Sequence, residues 1–320
     1  MEKVKIADKY VNERLDKAAV DILKGLGIKI PSRSFLKNHL EKGALVNGDT
    51  VKGSYKLRKG DVVEVNTELL KKSLEELDLS EKIVSEETEL PIVFENANYL
   101  VIDKPKGMVV HPGVGNWKGT LANYVRGYLE GKEEYDKKVD RAGIVHRLDK
   151  GVSGLIVVAK NKKTQDFLKK QFQEHTVEKI YLAETEKYKK SKLDMLEIQK
   201  NISLGKKIEI NDKWLTMEGY MKRSPRNRIR MQFRPCKSGG SKLAISHFLK
   251  VGEEKYLVKI DTGRMHQIRA TLFYLGRYLK GDTLYTPGSR KFMPNNIKLK
   301  SVYLSFKDSS GKRKVFNIFK

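Results

Sequence analysis

Residues 140–160 read Asp140-Arg-Ala-Gly-Ile-Val-His-Arg-Leu-Asp-Lys-Gly-Val-Ser-Gly-Leu-Ile-Val-Val-Ala-Lys160. From Leu155 to Ala159 the run is apolar, unbroken and of strand length, with two adjacent valines, which predicts a buried strand. Just before it stand His146, Arg147, Asp149 and Lys150, with Gly151 and Gly154 as the turn residues that aim them. Charged side chains are thereby gathered at the mouth of a core element. A carboxylate in that position has to be paired or functional.

Working outward, a chain of 320 residues can bury a substantial core and divides into two or three units. Its 65 Lys and Arg against 40 Asp and Glu give a net charge of +25, the electrostatic footprint of a polyanion binder. The single cysteine, Cys236, excludes an internal disulfide and a cysteine-based zinc site, and it points to a reducing cytoplasmic setting. No apolar run approaches the ~20 residues that a bilayer requires, so no membrane role is expected.

Toward the N-terminus, Leu15, Ala19, Ile22 and Leu23 have helical spacing. A second helix is expected after Ser32 or Ser34, with Phe35, Leu36, His39 and Leu40 on one face and Gly43 at its end. Ala44 to Val51 carries an Asn-Gly turn between short apolar segments, and Gly60 to Val65 supplies a closing strand. Residues 66–90 hold eight acids and three bases without glycine or proline, the mark of an acidic, part-helical linker.

Beyond it, Leu100-Val-Ile102 leads into the punctuated turn Asp103 to Gly113. The segment Gly113 to Thr120 superficially suggests a phosphate loop but lacks its glycine and lysine spacing. Lys163 to His175 is helical, with Phe167, Leu168 and Phe172 on the buried side. In Glu178 to Glu184, Ile180 and Leu182 share one strand face while Tyr181 takes the other. Lys187 to Lys213 is polar, poorly patterned and reads as an insertion. Residues 222–242 carry eight Lys or Arg and no acid, and Arg228 to Arg234 alternates strictly, predicting a strand with one apolar face and one cationic face. Tyr256 to Ile260 then feeds Asp261-Thr-Gly-Arg-Met-His-Gln-Ile-Arg-Ala-Thr271 and a helix ending near Gly276, with Arg264 expected in its first turn. The macrodipole disfavours a cation there, so a carboxylate partner is expected.

The His146-Arg-Leu-Asp149 segment with its Ser153-Gly-Leu sequel resembles the signature of the RluA-type pseudouridine synthases, and Asp103 to Gly113 and Asp261 to Thr271 resemble further motifs of that family. The resemblance covers roughly residues 92–306. It implies an α+β fold with a central mixed, largely antiparallel sheet, and Asp149, Tyr181 and Arg264 as the catalytic set, with Arg264 pairing with Asp149. Val152 stands where the family has threonine. The stretch from Arg14-Leu-Asp16 through Ser32-Arg-Ser34 to Lys59-Gly-Asp61 resembles the S-four RNA-binding module, a small α/β unit.

These resemblances divide the chain into an RNA-binding module at 1–66, a linker at 67–90 and a catalytic domain at 91–320. They imply conversion of uridine to pseudouridine in RNA, most often large-subunit ribosomal RNA, by a cytoplasmic monomer that uses no cofactor and no metal. RNA contacts are expected from Arg33, Lys37, Lys52, His146, Arg147, Arg228, Arg230 and Arg234. Rival readings are a catalytically silent ribosome-assembly factor, which has no need of the three catalytic residues together, and a metal-dependent nuclease using His111, His146 and Asp149. An RNA methyltransferase is disfavoured because no glycine-rich cofactor turn is present.

Overall fold

The computed structural model describes residues 2–28, 30, 36, 40, 44–81, 83–113, 115–136, 138–188, 214–286, 288 and 296–319, with side chains omitted for 75–81. The chain forms two compact units, Met1–Lys82 and Ile83–Lys320. In the first, β1 (Glu2–Lys5), β2 (Ala44–Val46), β3 (Asp49–Thr50) and β4 (Val62–Val65) make an antiparallel sheet in the order β1-β4-β2-β3. Helix α1 (Leu15–Gly25) buries Leu15, Ala19, Ile22 and Leu23, the residues whose spacing predicts it. The Asn47-Gly48 turn has both residues at positive φ, as a tight hairpin between right-twisted strands requires.

Of the expected second helix, Leu36 and Leu40 are helical and fully buried, whereas Ser32, Ser34, Phe35, His39 and Gly43 lie outside the described residues. The acidic stretch is helical over α2 (Thr67–Glu81), and Leu70 is buried in the core of the N-terminal unit. That unit therefore runs to Lys82, past the position 66 expected for its end. From Ile83 the chain packs on the second unit, where Asn123 Nδ2 donates to the Val84 carbonyl and Leu90 is buried.

The second unit is built on one sheet. Its strands are β5 (Ile92–Glu95), β6 (Tyr99–Lys104), β7 (Ser153–Ala159), β8 (Glu178–Lys187), β9 (Leu215–Arg223), β10 (Met231–Arg234), β11 (Lys242–Gly252), β12 (Lys255–Ile260), β13 (Arg277–Leu279), β14 (Leu299–Lys307) and β15 (Arg313–Asn317). The order is β10-β9-β11-β12-β8-β14-β7-β6-β5, with β13 on β8 and β15 on β14. Every described pairing in this unit is antiparallel except β14 with β7, so the sheet is mixed and largely antiparallel, as expected.

Strand β7 is buried at all seven positions because both its faces are covered. Ile156 and Val158 face a core that includes helices α3 (Leu121–Leu129) and α5 (Gln267–Tyr274). Leu155 and Val157 face the other side, where α4 (Lys162–Gln173) contributes Leu168. Period-two alternation between two apolar layers is what an uninterrupted apolar run encodes.

The basic stretch departs from its expected form. Of the alternating run Arg228 to Arg234 only Met231–Arg234 is strand, and residues 224–230 form the turn that returns from β9. Ser224, Pro225 and Asn227 are the reason: the Ser224 N–H donates to the Arg230 carbonyl and the Asn227 side chain accepts from the Ile229 N–H, a local alternative to the ladder. Ile229 is consequently 59% exposed rather than on an apolar face. Residues 189–213, which contain most of the expected insertion, lie outside the described set.

Candidate active site

Asp149 sits in the loop between an Asp140–Gly143 turn and β7. The turn is unusual because Arg141, Ala142 and Gly143 all have positive φ, a conformation that costs a non-glycine residue about 1–2 kcal/mol. Surrounding contacts hold it: Gln165 donates to the Asp140 carbonyl at 2.6 Å and accepts from the Asp140 N–H at 3.0 Å. Gly143 passes so close to β7 that a Cβ there would lie 1.9 Å from the Ala159 carbonyl oxygen. At the far end of the loop Gly154 makes the same kind of approach to Ser301, which lets β14 lie parallel to β7. Val152 is buried in the apolar core, where its methyl groups pack in place of a threonine hydroxyl.

His146 is fixed as part of this scaffold. Its Nε2 accepts the Val157 N–H at 3.0 Å and its ring stacks on Phe172 at 4.6 Å. Strand β14 pairs with β7 only at Ser153 and Gly154, and the imidazole takes up a strand N–H further along. Burial, with the nearby Lys179 charge, pushes the imidazole down to about 3. One of the two His146 nitrogens thus has a backbone role, and the residue also borders the cavity. Arg147 beside it is exposed at the rim.

The expected pairing of Asp149 with Arg264 is corrected by the structure. Helix α5 begins at Gln267, after His266 in a left-handed conformation, so Arg264 precedes the helix by three residues. Its Nε donates to the Leu243 carbonyl at 2.8 Å. Arg269, inside the helix, reaches the carboxylate instead, with Nη1 3.1 Å from Asp149 Oδ2. Arg269 is in turn gripped by the buried Asp282, Nε to Oδ2 at 2.7 Å and Nη2 to Oδ1 at 2.8 Å, and Tyr285 lies under its guanidinium at 5.1 Å. Burial works against the Arg269 charge, but the two carboxylates more than offset it and raise its pKa. A bidentate clamp of this kind fixes direction as well as distance. His266 Nε2 is 3.7 Å from the same Asp149 oxygen, with its Nδ1 3.3 Å from the Tyr285 hydroxyl.

Tyr181 projects from β8 toward Asp149, on the face opposite Ile180 as expected. Burial first, and the Asp149 charge second, raise its pKa, so the phenol is held protonated. Lys104, at the end of β6, is fully buried and donates to the Pro105 and Met108 carbonyls at 2.8 and 2.9 Å. Burial lowers it to about 8, against the opposing pull of Asp149 and Asp103.

Asp149, Tyr181, His266 and Arg269 border one cavity of about 610 Å³, whose lining also includes Phe172 and Lys179. Arg264 lines it too, without touching Asp149. Arg228 and Arg234 are exposed, while Arg230 is half-buried with its guanidinium 5.8 Å from the Tyr285 ring. Lys52 is exposed on the N-terminal unit, and Arg33 and Lys37 lie outside the described residues. Sequence reading missed Lys104, His266, Arg269, Asp282 and Tyr285. The available signal was a cation, Arg269, flanked by Ile268 and Ala270 on a helix that must bury its apolar side.

A family model described as RNA pseudouridylate synthase matches residues 98–273. A protein of Chlorobaculum parvum named uncharacterized RNA pseudouridine synthase is 35% identical over 269 residues, 82% of this chain and 73% of its own length. Ribosomal large subunit pseudouridine synthase D of Zymomonas mobilis is 30% identical over 295 residues, 89% of this chain and 80% of its own. The solved human RNA pseudouridylate synthase domain containing 4 shares the fold with a TM-score of 0.52 at 17% identity, over 78% of this chain and 91% of that one. This chain belongs to the RNA pseudouridylate synthase family. It is an isomerase that acts on uridines in RNA.

Proposed function

We propose that the enzyme isomerises specific uridines of large-subunit ribosomal RNA, with Asp149 acting at the ribose and Tyr181 against the base. The name of the Zymomonas mobilis relative supports the ribosomal substrate. The observation that carries the chemistry is the Asp149 carboxylate held at 3.1 Å by Arg269 beside Tyr181 in one cavity.

The reaction breaks the bond from C1′ to N1, turns the uracil and joins C1′ to C5, after which the C5 proton is lost and N1 gains one. Product and substrate are isomers, so no reactant is consumed. Asp149 attacks C1′ or takes a ribose proton, either of which starts departure of the base. Arg269 is anchored by Asp282 and therefore holds Asp149 without following it. A protonated Tyr181 presents its ring face and a hydroxyl donor to the uracil rather than a base. Since a uridine inside a paired stem cannot reach this cavity, the nucleotide has to be flipped out.

The N-terminal unit carries the S-four-like motif and gives the enzyme a second hold on RNA, with Lys52 among its exposed cations. Arg147 and the β9–β10 turn supply cations around the catalytic unit. We place the enzyme in a reducing cytoplasm, for which its single cysteine speaks, and take it to act as a monomer. The test is incubation of wild type and Asp149→Asn with large-subunit ribosomal RNA, chelator present, and mapping of pseudouridine by a specific chemical label. Wild type is expected to modify discrete positions and the variant none. Product on transfer RNA alone would move the substrate, and absence of product on any RNA would favour an assembly factor.

A further inference from the structure

We propose that Lys179 is a phosphate-binding residue of the catalytic cavity, taking the RNA backbone phosphate next to the flipped uridine. The inference rests on the RNA-isomerase reading and adds a substrate contact to it. Lys179 is only 6% exposed, and its side chain borders the cavity that holds Asp149 and Tyr181.

A buried ammonium is normally found with a carboxylate or with carbonyl oxygens around it. Lys104 shows the rule in this molecule, with its two carbonyl acceptors. Lys179 has no hydrogen-bond acceptor among the described residues. Its apolar neighbour is the Phe172 ring, 5.7 Å from Nζ, and the acid that acts on it is Asp261. One oxygen of that carboxylate is engaged elsewhere: Asp261 Oδ2 is 2.9 Å from His247 Nε2, and Thr216 holds the other ring nitrogen at 2.9 Å. His146, stacked on the same Phe172 ring with its Nε2 accepting a strand N–H, brings no anion either. Burial brings Lys179 down to about 8, which leaves it mostly charged at neutral pH.

The position of the charge tells what completes it. Lys179 and Tyr181 lie two residues apart on β8 and line the same cavity, so their backbones are about 6.7 Å apart. That is the reach of a single nucleotide. With the uracil against Tyr181 and the ribose at Asp149, the neighbouring phosphate falls toward Lys179. An oxyanion in a site with restricted water gives a charge-assisted bond stronger than one in bulk solvent.

The test uses the full-length enzyme and a synthetic stem-loop around a uridine that wild type modifies. Each phosphate flanking that uridine is replaced in turn by a neutral methylphosphonate, and single-turnover rates are measured for wild type, Lys179→Met and Lys179→Arg. One linkage is expected to cost wild type about 10- to 100-fold in kcat/KM. Lys179→Met is expected to lose as much on native RNA and nothing further at that linkage, while Lys179→Arg recovers part of the rate. Two results overturn the proposal: a wild type indifferent to every flanking methylphosphonate, or losses from Lys179→Met and the linkage that multiply. The first needs no variant, so a misfolded Lys179→Met leaves the question open to decision. Activity of wild type on the native stem-loop reports separately on the isomerase reading.

Discussion

The two ends of the catalytic cavity treat charge in opposite ways. Around Asp149 each ion answers another: the carboxylate meets Arg269, and Arg269 is held from behind by Asp282. Around Lys179 the cation stands beside an aromatic ring, a neutral imidazole and an acid already bonded to His247. The first arrangement is finished in the protein alone. The second is finished by something that enters. An enzyme that breaks and remakes a bond at one atom needs its reacting group fixed in advance, whereas the hold on a polymer is gained from the polymer's own charges.

The strongest way to break this contrast is Asp149→Asn, close to isosteric, for which a rate loss of at least ~10⁴ is expected in single turnover with RNA affinity nearly unchanged. Full activity would show that the paired end does no chemistry. Next comes the pairing itself. Arg269→Met strands Asp282, 1% exposed, and is expected to cost about 3–5 kcal/mol in urea unfolding together with most activity. Arg264→Met removes one bond to a carbonyl and should cost about 1.5 kcal/mol. A reversed order would restore Arg264 as the partner of Asp149.

Lys104→Met sharpens the comparison from the other side, since it removes a buried cation that does have acceptors. Two part-buried charge-assisted bonds to carbonyls are lost, and a stability loss of about 2–3 kcal/mol is expected with no dependence on the RNA used. A loss confined to RNA turnover would mean that Lys104, like Lys179, serves the ligand.

The last prediction concerns pH. The His146 imidazole is pushed down to about 3 when folded, so below its unfolded value near 6.5 the unfolded chain binds the extra proton. Its contribution is complete above pH 6.5 and is lost as pH falls toward 3. Between pH 6.5 and 4.5 the urea midpoint of wild type should drop more than that of His146→Gln, whose side-chain oxygen can accept the Val157 N–H without titrating. Parallel curves would remove His146 from the account.

How much of this was legible depended on the range of the interaction that decides each feature. The buried strand at Leu155 to Ala159 and the turned-away Tyr181 follow from local alternation, and both are where the sequence puts them. Asp149 was legible as a charge at a core boundary. Its partner was not, because the choice between Arg264 and Arg269 depends on where α5 starts, and the left-handed His266 delays that start until Gln267. The burial of Lys104 and Lys179 was hidden for a different reason: a lysine at the end or beginning of a strand reads as an exposed flank until the neighbouring elements are in place. At 224–230 the alternating pattern masked turn residues that were present in plain view.

The order of strands also sets a schedule. Asp149 precedes β7 and Tyr181 lies on β8, yet these two strands are not neighbours in the sheet; β14 lies between them. The slot that joins the loop of Asp149 to the tyrosine is therefore filled by residues 299–307, made long after both. A nascent chain that has already emitted every residue of the reacting set still has no active site. The site is complete only when the late strand has closed the sheet.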